Sequence, residues 1–334
     1  VGGALEKAAL LRYIRRVFMR AIARFAWASL AYDVAVVAWG AYVRASGSGA
    51  GCGRHWPLCN GEAIPRSPQT ATWIEFSHRV SSGATLVFAV VLLVWALRVF
   101  PAGHRVRRGA IAVVLLVVAE ALIGAGLVLF GLVARDPSLV RGLSMSLHLM
   151  NTFALLAASA VTAWWASGGQ APVLRGQGSI VAGLGLPLTA MFAVGATGAI
   201  AALGDTLFPA ASLSAGIAQD FAAGSHVFLH VRALHPMLAG VTAFGIVVGC
   251  GIARAFRPSR AVRIFSRVTS ALVVLQVAAG IADVLTRAPI AMQLVHLVIA
   301  DGVWIGLVLT AVAALGEAPA ESPVSAPDAQ RATP

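Results

Sequence analysis

The chain has 334 residues, 59% of them hydrophobic and only 11% charged, with a mean hydropathy of +0.84. That composition excludes an ordinary soluble domain and a disordered chain, and indicates an all-α polytopic membrane protein. A formal charge of +12 invites a nucleic-acid reading, but the basic residues gather in particular segments between apolar stretches, which speaks for topology and contact with membrane lipid and against DNA binding.

Residues 1–24 form a basic, amphipathic approach with Lys7, Arg12, Arg15, Arg16, Arg20 and Arg24. Hydropathy then predicts eight transmembrane helices, at roughly 22–44, 73–98, 109–132, 143–166, 179–203, 229–253, 264–286 and 290–314. Placing the N-terminus in the cytoplasm puts seventeen of the 25 Lys and Arg residues on the inner side. The expected location is therefore a bacterial plasma membrane, with both termini cytoplasmic.

Span 1 ends at Gly47-Ser48-Gly49, and Cys52 and Cys59 share the short outer loop that follows. An oxidising compartment permits a disulfide there; two independent thiols, or a metal pair lacking its other ligands, are the alternatives. Span 2 carries Glu75 and His78, three positions apart, so the carboxylate sits one turn outward of the imidazole on one helix face. Beside a cofactor pocket such an acid can serve as general acid or base; the bland alternative is an exposed interfacial Glu. Span 3 has Glu120 and then Gly124, and span 4 has His148.

The second half repeats this layout. Gly195-Ala196-Thr197-Gly198 in span 5 resembles the end of span 1. Span 6 has His235 where span 2 has His78, with Arg232 in the place of Glu75. Pro236 follows and should kink the helix. His226 and His230, just above, read as polar rim, while His55 and His104 lie in loops. Span 7 has Gln276 and Gly280 in the places of Glu120 and Gly124, and span 8 has His296. Asp283 and Asp301 are further intramembrane acids, Cys250 reads as packing, and residues 315–334 read as a disordered tail.

Four spans per unit is an even number, so the halves form a parallel repeat of two four-helix bundles, 25–166 and 179–314. A single histidine on an apolar helix is more often a packing residue than a ligand. Four at one depth, roughly 8–10 Å inside the outer end of even-numbered spans, point instead to two bis-imidazole metal sites, for which heme iron is the best fit. Propionates would then face the outer interface near Arg79, Arg141 or Arg232.

The first-half motifs Gly47-Ser48-Gly49, Cys52 and Cys59 around Trp56-Pro57-Leu58, and Glu75-Phe76-Ser77-His78-Arg79 resemble the heme A synthase family, and His148, His235 and His296 fall at its other heme histidines. The resemblance spans roughly residues 25–314. It implies oxidation of the C8 methyl group of heme O to a formyl group by two hydroxylations, with water as oxygen source and heme A supplied to terminal oxidases. It further implies that His78 and His148 flank the substrate heme, that His235 and His296 ligate heme b, that Glu75 is the essential carboxylate, and that Cys52 and Cys59 form a disulfide. The implied partners are heme O synthase as substrate donor, the cytochrome oxidase assembly machinery and an electron acceptor of unknown identity. The sequence departs from the family at His235-Pro236, where Arg often follows the histidine.

Two rivals explain part of this. A diheme b-type electron-transfer cytochrome accounts for the histidines but not for an acid and a cysteine loop in one half only. A transporter accounts for a parallel repeat, but predicts broken helices and a midplane site.

Overall fold

The computed structural model describes residues 2–317, with side chains from Val17 onward. Among these residues all regular structure is helical: α1 (Gly2–Ala45), α2 (Thr70–Val99), α3 (Arg105–Leu129), α4 (Leu139–Ala166), α5 (Gly178–Leu207), α6 (Leu213–Phe221), α7 (Val227–Phe256), α8 (Arg260–Leu285) and α9 (Ile290–Gly316), with one 3-10 turn at Ser48–Ala50. Eight are long and apolar enough to cross a bilayer, α1 doing so over Val17–Ala45. The ninth, α6, is a short helix between α5 and α7 that hydropathy did not anticipate, because its length is far below a span. Residues 315 and 316, assigned from sequence to the tail, are the last turn of α9; the remainder of that tail, 318–334, lies outside the described residues.

Short caps define where helices begin. Ser138, Ser212 and Ser259 accept backbone N–H groups of α4, α6 and α8 through their hydroxyls, and His104 and His226 do the same for α3 and α7 through a ring nitrogen. His104 also stacks on Phe100. These two histidines are thus structural caps. His230 contacts the Asp220 carbonyl through Nδ1, as expected of rim polarity.

Within the first half α1 packs on α2 and α4, and α3 on α2 and α4; in the second, α7 packs on α5 and α8, and α9 on α5 and α8. α4 and α9 occupy the centre and are the most buried of the eight spans. The seam between them is closed by Phe153 stacked on Trp304, whose indole N–H donates to the Phe153 carbonyl at 2.7 Å. Arg44 also crosses between halves, donating to Ala202 O, Thr206 Oγ1 and Gln293 Oε1 at 2.8–2.9 Å. The outward faces carry Val87, Leu115, Phe244 and Val274, all exposed, which suits contact with lipid. Cys250 lies in the α4/α5/α7/α9 core, in keeping with a packing role.

Candidate functional site

A cavity of about 1240 Å³ runs through both halves and is lined by His78, His148, His235 and His296. Single-ligand pockets run to about 300–1,000 Å³, so this space exceeds the usual requirement of one small molecule. His78 and His148 lie within electrostatic reach of each other, as do His235 and His296. His78, His148 and His235 sit two to three turns inside their helices, slightly deeper than hydropathy suggested because those helices start earlier, and His296 sits just under two turns inside α9, which starts where expected.

Every ring faces a glycine on a neighbouring helix. A Cβ on Gly40 would stand 2.8 Å from His78 Cε1, and on Gly198 or Gly280 it would stand 3.0 Å from Cε1 of His235 or His296. Gly124 leaves more room, at 3.9 Å from His148 Cε1. This corrects the internal alignment drawn from sequence. Gly47 caps the 3-10 turn beyond α1, whereas Gly195–Gly198 lies inside α5; the counterpart of Gly198 is Gly40. Gly40 carried no signal on its own, since small residues are common in membrane helices.

The ring nitrogens differ in their company. His235 Nδ1 is 3.1 Å from Thr197 Oγ1, whose own proton goes to the Ala193 carbonyl at 2.9 Å. With its proton on the Ala193 carbonyl, the hydroxyl is able to accept from Nδ1–H of His235, a contact that orients the ring. His148 Nδ1 lies 3.3 Å from Glu120 Oε1, a pairing distance without aligned hydrogen-bond geometry. Gln276 Nε2 is 3.1 Å from His296 Nε2. The buried Nδ1 atoms of His78 and His296 have no hydrogen-bond partner among the described residues.

Glu75 is 3% exposed, which rules out a solvated interfacial acid. Its Oε1 accepts from Arg79 Nη2 at 2.5 Å and Nε at 3.2 Å, and its Oε2 accepts from the Cys52 backbone N–H at 2.8 Å. Arg79 Nη1 in turn donates to the carbonyls of His55 and Leu58. Cys52 and Cys59 are disulfide-bonded, with Cα atoms 4.4 Å apart. Thr72 Oγ1 donates to Gly51 O at 2.8 Å, fixing the loop to the start of α2. Trp56 and Pro57 of this loop line the cavity beside Glu75. Sequence reasoning found the acid and the loop but not their mutual bond, because nothing in the spacing says which backbone N–H will meet the carboxylate.

The second half has the opposite charge arrangement. Arg232 pairs with Asp205 of α5 at 3.0 Å and with Asp220 of α6 at 2.5 Å. Arg141 donates to the carbonyls of Ala134 and Asp136. The three arginines named as propionate contacts line the cavity, but each is engaged by protein groups.

Fold and site together define an all-helical, multi-pass membrane protein with paired intramembrane histidines around one cavity. The chain belongs to the cytochrome oxidase assembly protein family COX15-CtaA, whose profile matches residues 23–308. It is 45% identical over 294 residues to a protoheme IX farnesyltransferase of Thermus thermophilus, covering 88% of this chain and 48% of that protein. It is also 39% identical over 139 residues to the heme A synthase of Symbiobacterium thermophilum, covering 41% of this chain and 44% of that protein. A third relative, the heme A synthase of Alkalihalophilus pseudofirmus, is 42% identical over 92 residues, or 28% of this chain and 31% of the relative. The chain thus spans about half the length of the Thermus relatives it matches.

Proposed function

We propose that this chain is a heme A synthase that oxidises the C8 methyl group of heme O to a formyl group. The observation that carries the proposal is Glu75, buried in the wall of the cavity that holds His78 and His148, with arginine at the corresponding place in the other half. A cytochrome that only passes electrons needs no such difference. The names carried by the relatives support the same reading.

His78 and His148 hold the substrate heme, and His235 and His296 hold a resident heme b. The residues suit such groups: the Nδ1 atoms of His78 and His296 lack partners among the described residues, glycines make space for the rings, and Thr197 gives His235 Nδ1 a hydrogen-bond partner. Heme b, when bound, supplies one-electron redox chemistry for electrons leaving the substrate. Methyl plus water gives formyl with release of four electrons and four protons, so a proton acceptor is needed near the methyl. An ionised carboxylate offers about four acceptor directions. Arg79 occupies Oε1 twice and Cys52 occupies Oε2 once, which leaves Oε2 one direction for the proton of a bound water. Arg79 and the disulfide loop hold that atom in place, and the apolar cavity walls limit access of other water.

The Thermus name supports a source for the substrate, since a farnesylated protoheme is what the first site would oxidise. Delivery by heme O synthase, transfer to the oxidase assembly machinery, a separate electron acceptor and a bacterial plasma membrane location with both termini cytoplasmic complete the proposal. It is tested by introducing the gene into a bacterium that keeps its oxidase and heme O synthase but lacks heme A synthase. Return of the oxidase heme a absorbance is expected; an oxidase that stays without heme a, despite normal membrane levels of this protein, would refute it.

A further inference from the structure

Glu120 on α3 and Gln276 on α8 each lie four residues before a glycine that faces the histidine of the next helix, Glu120 Oε1 meeting Nδ1 of His148 and Gln276 Nε2 meeting Nε2 of His296, and they differ by one ionisable group. The side chain of Glu120 is fixed on both oxygens. Asn151 Nδ2 donates to Oε2 at 2.5 Å while its other N–H reaches Leu116 O at 3.0 Å, and the Thr152 hydroxyl donates to Oε1. Asn151 and Thr152 lie three and four residues after His148, on the ligand's own helix face. The same offsets after His296 give Ile299 and Ala300, whose side chains can donate nothing. The first half therefore builds a bracket around a carboxylate at Nδ1 of His148, and the second half puts a neutral amide beside His296 with no bracket.

We infer that Glu120 is a positioning residue that makes His148 a stronger electron donor to iron than His296, so that the first site has the lower reduction potential of the two. This rests on the ligation proposed above. A carboxylate facing the outer nitrogen of a metal-bound imidazole raises its basicity and favours the oxidised metal; the amide N–H that Gln276 turns to His296 cannot accept from the ring and does not. The resulting difference directs electrons from the first-half site toward the second, which is the direction that oxidation of a substrate in the first half requires.

The test is a spectroelectrochemical titration of the purified, heme-loaded full chain, with Glu120→Gln and Gln276→Glu beside the wild type. Both changes nearly preserve side-chain shape. In Glu120→Gln one heme is expected to become easier to reduce by tenfold or more, which is about 59 mV for a one-electron couple, with the other heme unmoved. In Gln276→Glu the other heme should become harder to reduce. Equal shifts of both hemes in either variant, or no shift in either, would overturn the inference. If Glu120→Gln loses its heme, Gln276→Glu still decides, because it adds the charge at the other site. Absence of two bis-histidine spectra in the wild type would instead remove the ligation on which the inference rests, and this is read before any titration.

Discussion

Gly40→Ala should expel or misligate one heme while Gly124→Ala leaves it in place, although both substitutions add one methyl group beside a histidine of the same pair. A Cβ at position 40 would lie 2.8 Å from His78 Cε1, whereas carbon atoms in contact settle at about 3.5–4.0 Å. The ring or α1 must then move by about 0.7–1.2 Å. Overpacking of this size costs about 1–3 kcal/mol, and if it falls on ligation alone it weakens heme binding by about 5- to 150-fold. At position 124 the distance is 3.9 Å, an ordinary contact, and a helical Gly→Ala change is otherwise favourable by about 0.5–1 kcal/mol. Gly198→Ala and Gly280→Ala, at 3.0 Å, should act like Gly40→Ala but on the second heme. The assay is heme content per protein after purification, together with the low-spin absorbance of each site. Wild-type heme content and spectrum in Gly40→Ala, or equal loss in Gly124→Ala, would refute the view that glycines set the ring positions.

Other changes separate binding from chemistry. Glu75→Gln keeps shape and removes the charge, so both hemes should remain while formyl heme falls by at least about tenfold, as expected for loss of a positioned proton acceptor; unchanged heme A output by chromatography would remove Glu75 from the reaction. Cys52→Ser should preserve heme content but lower turnover, because the loop whose backbone N–H holds Glu75 Oε2 is no longer tied to Cys59; a reductant that leaves turnover untouched would contradict this. Arg44→Met removes bonds to Ala202, Thr206 and Gln293 across the two halves and should cost about 1–3 kcal/mol, read as a lower Tm in detergent with no change in the C8 chemistry.

The eight spans were legible because a bilayer-length apolar run is a strong local signal, and the long apolar helices fall within a few residues of the hydropathy limits. The four histidines needed only spacing to be singled out, and all four line one cavity. What lay beyond reach depends on contacts between distant segments. Thr197 reaches His235 across α5 and α7, Arg79 reaches two loop carbonyls as well as Glu75, and Asp220 reaches Arg232 from a short helix too brief to register in hydropathy. Gly47 and Gly195 illustrate the converse: similar glycine patterns near two helix ends suggested equivalence, yet on α1 and α5 it is the helix-interior Gly40 and Gly198 that meet an intramembrane histidine ring.

Whether this chain oxidises heme O is decided by the identity of the hemes that copurify with it from a host that makes heme O and has no heme A synthase of its own. Chromatography with mass spectrometry should find heme A, or its hydroxylated precursor, together with heme B. Heme B with unaltered heme O would contradict the account, leaving a diheme electron-transfer protein in which Glu75 has no part in the chemistry.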